Sequence, residues 1–240
     1  MIHPGERLEN PITGEALVFH RTSAQTDGEE VFVEVIVHPH GFVAAAHVHP
    51  YQTERFEVLE GRLGLRRGDE QLVATPGDIA VVNPGTAHRF WNAGDQDVRF
   101  TVEVRPALQF ESLIETMFTL AARGKTNRKG LPNPLRLAVI AQAHFDTVRL
   151  PFPPPALQRA ALALGAPLGK ALGYHETVTR TPAAATDRPH SRPIDRPERA
   201  RRSSACEASQ PATGPAGLPM RGKRAQRSIG SQESGANARS

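Results

Sequence analysis

The chain has 240 residues, with 29 Lys+Arg against 25 Asp+Glu and 10 Phe, 2 Tyr and 1 Trp, a length that allows one or two domains. Its single cysteine, Cys206, excludes an internal disulfide framework and a cysteine-based zinc site, and no run of about 18 apolar residues is present to span a bilayer. The net charge of +4 belongs to the C-terminal part, where residues 179–240 hold 12 Lys/Arg and 5 Asp/Glu, so it supplies no basic face for specific nucleic-acid binding.

The start, MIHPGERLENPITGE, lacks the basic-then-apolar pattern of a secretory signal, and a cytoplasmic location is expected. Up to about residue 106 the chain reads as short strands between Gly-containing turns, the pattern of an antiparallel sandwich or small barrel. Val31, Val33, Val35 and Val37 recur with period two. Phe32 and Ile36 fall on the other parity, so both faces of that strand are apolar. Such a strand needs a second layer on its outer side, from the helices or from another subunit, and a homodimer through this segment is expected.

Residues 41–61, GFVAAAHVHPYQTERFEVLEG, carry the densest chemistry. On a strand, His47 and His49 share one face and can converge on one metal ion. Pro50 favours a turn after them, which makes Glu54 available from the adjacent strand. Glu54 shares parity with Phe56 and Val58, and an inward carboxylate among apolar neighbours needs a partner, for which a cation is suited. Gln52 and Arg55 flank Glu54, and the sequence leaves them between supporting it and facing solvent.

Residues 77–92, GDIAVVNPGTAHRFWN, contain a tight turn at Asn83-Pro84-Gly85-Thr86, and His88 begins the strand that leaves it. Phe90 and Asn92 share the parity of His88; Arg89 and Trp91 face outward. Three His and one Glu form a mixed N/O donor set suited to divalent iron, manganese, nickel, copper or zinc, without choosing among them. The clearest strand is residues 98–105, with Val98, Phe100, Val102 and Val104 on one face.

After Pro106 the period changes. Phe110, Leu113, Ile114, Met117, Phe118 and Ala121 recur at helical spacing, ending near Gly124. A second helix is expected over Leu135–Val148, entered at Pro134. Ala156–Leu172, opened by Pro154-Pro155, reads as a helix or broken helix packed on the barrel, with a membrane-surface helix as the alternative. Residues 179–240, rich in Pro, Ala, Ser, Arg and Gly, cannot bury enough apolar surface to offset ordering and are expected to be disordered. The expected organisation is therefore mainly β: a barrel over 1–106, a helical extension over 107–178 and a disordered basic tail over 179–240.

The two motif regions resemble those of the cupin superfamily. The first family pattern, G-x5-H-x-H-x4-E-x6-G, is matched by Gly41, His47, His49, Glu54 and Gly61. The second, G-x5-P-x-G-x2-H-x3-N, is matched by Gly77, Gly85, His88 and Asn92, with Asn83 in place of its proline. The resemblance covers roughly residues 30–105 and implies a jelly-roll barrel of six or more strands with one metal held by His47, His49, Glu54 and His88. His38 and His40 form a second H-x-H, which in the family pattern falls in the entering turn, and His144 reads as a helix-surface or packing residue. Four protein ligands leave an octahedral metal two open positions. The expected function is an oxidoreductase similar to quercetin-dioxygenase-like cupins, acting on a small enolic or aromatic molecule, with Glu54 also serving as base. The alternative is a non-enzymatic cupin that binds a small ligand or senses it.

Overall fold

The period-two runs pair as antiparallel strands in the computed structural model of the chain, which describes residues 2–178. The chain divides into the units Met1–Asp187 and Arg188–Ser240; the second unit, like all of 179–240 with its expected disorder, lies outside the described residues. In chain order the strands are β1 (Arg7–Asn10), β2 (Glu15–Arg21), β3 (Val31–Val37), β4 (His47–Val48) and β5 (Thr53–Glu60). They continue with β6 (Leu63–Arg67), β7 (Glu70–Ala74), β8 (Ile79–Val82), β9 (Ala87–Asn92) and β10 (Val98–Arg105). One sheet has the order β1-β2-β3-β10-β5-β8 and the other β4-β9-β6-β7.

The apolar parity of each strand meets between the sheets. Val33, Val35, Phe56, Val58, Phe100 and Val102 from the larger sheet are buried with Leu63 and Leu65 from the smaller, and burying each side chain of this size contributes roughly 1.5–3 kcal/mol. The jelly-roll double sheet expected from the resemblance is the fold of residues 7–105. On the outer face of β3, Phe32 and Ile36 are half-buried around Glu34. Glu34 accepts from Arg99 (2.7 and 2.9 Å) and contacts His20 (3.3 Å), and Arg99 also reaches Glu60 (2.8 Å).

Three helices follow. α1 (Phe110–Ala122) fills the stretch expected for it and buries Phe110 and Phe118 in the same core. α2 (Pro134–Ala143) starts where Asn133 Oδ1 accepts from the Arg136 N–H at 3.0 Å, a side-chain cap, with Pro134 at the first helical position. It is shorter than the 135–148 read from periodicity. The chain turns at His144, whose backbone oxygen accepts from Thr147 and Val148 (2.9 Å each), and Arg149 then pairs with Val48 of β4 through two backbone bonds of 2.8 and 3.0 Å. Tertiary pairing with the barrel has overridden the helical period.

α3 (Pro155–Ala171) is one continuous helix despite Gly165, Pro167 and Gly169, and it packs along α2 where a position on the barrel was expected. A Cβ on Gly169 would lie 2.6 Å from the Leu135 carbonyl oxygen and from Val139 Cγ2. The missing side chain is what lets the two helices approach.

Candidate metal centre

β4 and β9 pair with His47 directly opposite His88. His49 follows at the end of β4, where its carbonyl accepts from the Gly85 N–H at 2.8 Å. That bond depends on the 83–86 turn: Thr86 N–H donates to Asn83 O (3.1 Å), with Pro84 second and Gly85 third at φ +80, the left-handed position where glycine costs nothing. Glu54 comes from β5, on the inward parity it shares with Phe56 and Val58. The three imidazole centroids are 4.2 Å (His47–His88), 5.0 Å (His47–His49) and 5.5 Å (His49–His88) apart. One ligand atom from each of His47, His49, Glu54 and His88 lies within 4.8 Å of the others.

Hydrogen bonds behind the rings set the tautomers. His47 Nδ1 is 2.9 Å from Ala45 O, His88 Nδ1 is 3.1 Å from Thr86 O, and His49 Nδ1 is 2.6 Å from Thr147 O and 2.8 Å from Gln52 Oε1. Carbonyl oxygens only accept, so each Nδ1 carries the hydrogen and each Nε2 presents a lone pair. Gln52 is fixed in turn: its Nε2 donates to Pro106 O (2.9 Å) and Ala107 O (3.0 Å), which leaves Oε1 for His49.

The lone pairs meet at the carboxylate. Glu54 Oε1 is 3.5 Å from His49 Nε2, and Glu54 Oε2 is 2.6 Å from His88 Nε2. His49 Nε2 and Glu54 Oε2 are buried and make no hydrogen bond. A lone-pair nitrogen and a carboxylate oxygen at that distance require a proton or a cation between them, and leaving such atoms buried and unpaired is costly. The donor set therefore fits a divalent transition metal held by three imidazoles and one carboxylate.

The charge states agree with this. Burial pushes the His47 imidazole down to about 3, aided by His88 and His49 beside it, so it stays neutral. Burial raises the Glu54 carboxyl, but the surrounding His49, His88 and His47 outweigh it and hold it at about 2, so it stays ionised. Burial lowers His88, but the Glu54 carboxylate 2.6 Å from its Nε2 more than offsets this, so a proton between the two competes with a metal ion for the same lone pair. Around the polar cluster stand Phe56, whose ring centroid is 6.4 Å from that of His88, and Phe110 of α1, 6.5 Å from His49. Phe90 and Phe100 continue the aromatic lining, 5.4 Å apart.

The other residues singled out from the sequence fall elsewhere. His38 is exposed and bonded to Asp97 at 2.9 Å, and His40 is exposed. His144 is buried in the helical extension with Nδ1 donating to Ile140 O at 2.9 Å. Asn92 closes the barrel: its amide donates to Val37 O (2.8 Å) and Gln96 O (2.7 Å). Arg89 is exposed and stands over Trp91, whereas Arg55 pairs with Glu57 (2.8 Å), away from the site. Gln52 supports the centre, and its even parity with Glu54 was the signal for that. The Thr147 carbonyl is a main-chain group and leaves no mark in sequence.

Residues 33–104 match the family model described as Cupin domain. The chain is 44% identical over 45 residues to the oxidoreductase OpS7 of Beauveria bassiana, a match covering 18% of this chain and 15% of that protein. Among solved structures it is similar to an uncharacterized protein with a double-stranded β-helix domain from Klebsiella pneumoniae, with a TM-score of 0.38 and 23% identity over 45% of this chain and 90% of that one. It is also similar to a predicted oxalate decarboxylase from Thermotoga maritima, with a TM-score of 0.38 and 20% identity over 42% of this chain and 90% of that one. The antiparallel double sheet, the motif residues on its strands and the family match agree: the chain carries a cupin domain over residues 33–104.

Proposed function

We propose that the chain is a metal-dependent oxidoreductase of the dioxygenase type, acting on a small enolic or aromatic molecule at a mononuclear centre of His47, His49, Glu54 and His88. The observation that carries this reading is the convergence of three imidazoles, each with Nδ1 bonded from behind, on one ionised carboxylate, with His49 Nε2 buried and without a hydrogen bond. A bound divalent iron, manganese, nickel, copper or zinc ion supplies Lewis acidity there, and all but zinc supply redox chemistry as well. Phe56, Phe90 and Phe100 keep bulk water from the inner side and favour a flat, partly apolar substrate. Glu54 serves as a ligand or, once released from the metal, as the base for an acidic substrate hydroxyl. The short match to an oxidoreductase supports redox chemistry over isomerisation.

The test is metal analysis of protein purified without added metal, followed by oxygen uptake over a panel of catechols and enols. Iron, copper, nickel or manganese with substrate-dependent oxygen consumption is expected. Tight zinc without turnover assigns the chain to the second reading, a metal-containing cupin that binds or senses a small ligand. The reading includes a cytoplasmic setting and a homodimer through the outer face of β3, supported by half-buried Phe32 and Ile36. Sedimentation showing a monomer at micromolar concentration would reject the dimer.

A further inference from the structure

Helix α3 keeps its polar and small-residue side for the protein and turns an apolar side to solvent. Ala166 and Gly169 are buried on the side that packs along α2, and Gln158 is buried against the turn before the helix, donating to Leu150 O (2.9 Å) and Pro153 O (2.5 Å). On the opposite side Leu157, Leu164, Leu168 and Leu172, the last closing the helix, are 59%, 80%, 54% and 58% exposed. Five alanines and Pro167 share that exposed side. At about 100° per residue these positions fill a continuous arc of about 180°, wider than the two-position seam of a coiled coil. Phe152, just before the helix, is 78% exposed.

The charges are equally one-sided. α3 contains no Asp or Glu; its only charged residues are Arg159 and Lys170, which fall together at one edge of the apolar arc. Arg159 stacks on Phe145 and pairs with Asp146 at 3.3 Å, and Lys170 pairs with Glu176 at 3.6 Å; all four charged groups are at least half exposed, so these pairs are weak and open to exchange for a lipid headgroup. The sequence that follows, 179–240, carries 12 Lys/Arg and 5 Asp/Glu. Among the described residues no helix is long and apolar enough to cross a membrane.

We infer that α3 docks on an anionic lipid surface, lying in the interface with its leucines in the acyl boundary, while the basic segment after it supplies the second attachment. An apolar helix face and a polybasic stretch each bind weakly, and together they hold a protein at a membrane. A half-helix apolar arc with no acidic residue of its own, followed by a net-basic stretch of sequence, suits an anionic lipid surface. The inference is independent of the chemistry at the metal centre.

The experiment is co-sedimentation of the full chain with vesicles of pure phosphatidylcholine and of phosphatidylcholine with one third phosphatidylserine. Binding to the anionic vesicles is expected to be on the order of tenfold tighter or more and to weaken as salt rises. The double variant Leu164→Gln/Leu168→Gln, at exposed positions, should lose on the order of tenfold in vesicle binding while keeping its metal content and Tm. In Leu164→Trp the added indole emission should shift to the blue on anionic vesicles. The inference fails if the wild-type chain stays in the supernatant, if the double variant binds as the wild type does, or if the added indole does not shift. A self-association that the double variant abolishes, without vesicle binding, would assign the face to a second copy of the chain instead.

Discussion

The side-chain oxygen of Gln52 lies 2.8 Å from Nδ1 of His49, and the amide nitrogen of the same Gln52 is tied to the carbonyls of Pro106 and Ala107. The imidazole is thereby referred to the point where the barrel ends and the helices begin. The Thr147 carbonyl, 2.6 Å from the same Nδ1, holds it from the far side of α2.

Gln52→Leu removes the side-chain acceptor and the donor to Pro106 O, while Ala107 O keeps the Phe110 N–H at 3.1 Å. Metal affinity is expected to fall by about 10–100-fold, with stability lower by about 1–3 kcal/mol. Competition with a chelator, together with urea unfolding, measures both. Unchanged affinity would mean that Thr147 alone orients the ring.

Alanine at His47, His49 or His88 is expected to remove most of the bound metal, because each substitution deletes an imidazole donor. Glu54→Ala should retain more metal but lose at least as much of any turnover. His38→Ala and His40→Ala, at exposed positions outside the cluster, should keep full occupancy. Elemental analysis of folded protein decides this panel; a full site in the His88 variant beside an empty one in the His40 variant would overturn it.

Gly64 of β6 stands opposite Trp91 of β9, and a Cβ there would lie 2.2 Å from the indole ring. Gly64→Ala must push the indole off the sheet, and a loss of about 1–3 kcal/mol is expected. Thermal unfolding reads the loss, and the emission of Trp91, the only tryptophan, reports the displacement directly. A variant with wild-type Tm and emission would show that the ring has room to move.

Glu15 is buried, with Oε2 accepting from the Thr13 hydroxyl at 2.6 Å, and burial raises its carboxyl from 4.5 to about 7. Because the folded value is the higher one, the native state binds more protons between those limits, and stability falls as pH rises through them. The cost of ionising Glu15 is complete above pH about 7 and amounts to at most about 3 kcal/mol. Glu15→Gln should therefore gain stability over the wild type at pH 8 relative to pH 5, by urea unfolding at both. Parallel behaviour at the two pH values would show that Glu15 is hydrated.

The barrel was legible where a single local period governs a strand. Residues 98–105 alternate without interruption, the valines of 31–37 recur at every second position, and both stretches form strands with those bounds. The candidate centre was legible because His47, His49, Glu54 and His88 occupy spaced positions in a strand-turn-strand pattern, and the turn glycines required between them are present. What stayed hidden depends on partners distant in sequence. The helical period continues past Ala143, yet Arg149 pairs with β4 and stops the helix; α3 reads as a core helix, yet only the side facing α2 is covered. No local pattern carries that information.

The early end of α2 also has a consequence for the order of events at synthesis. All four converging side chains have been made once His88 is incorporated, but the carbonyl that fixes the His49 tautomer belongs to Thr147, 59 residues later. At about 5–20 residues per second that interval is about 3–12 s. The barrel itself closes only when β10 (Val98–Arg105) is added between β3 and β5, and from then until Thr147 the three imidazoles and the carboxylate stand without their last brace. A metal ion captured in that interval would meet a looser and less discriminating set of donors than the finished protein presents, and the ion in the purified chain would then record when loading happened as well as what the site prefers.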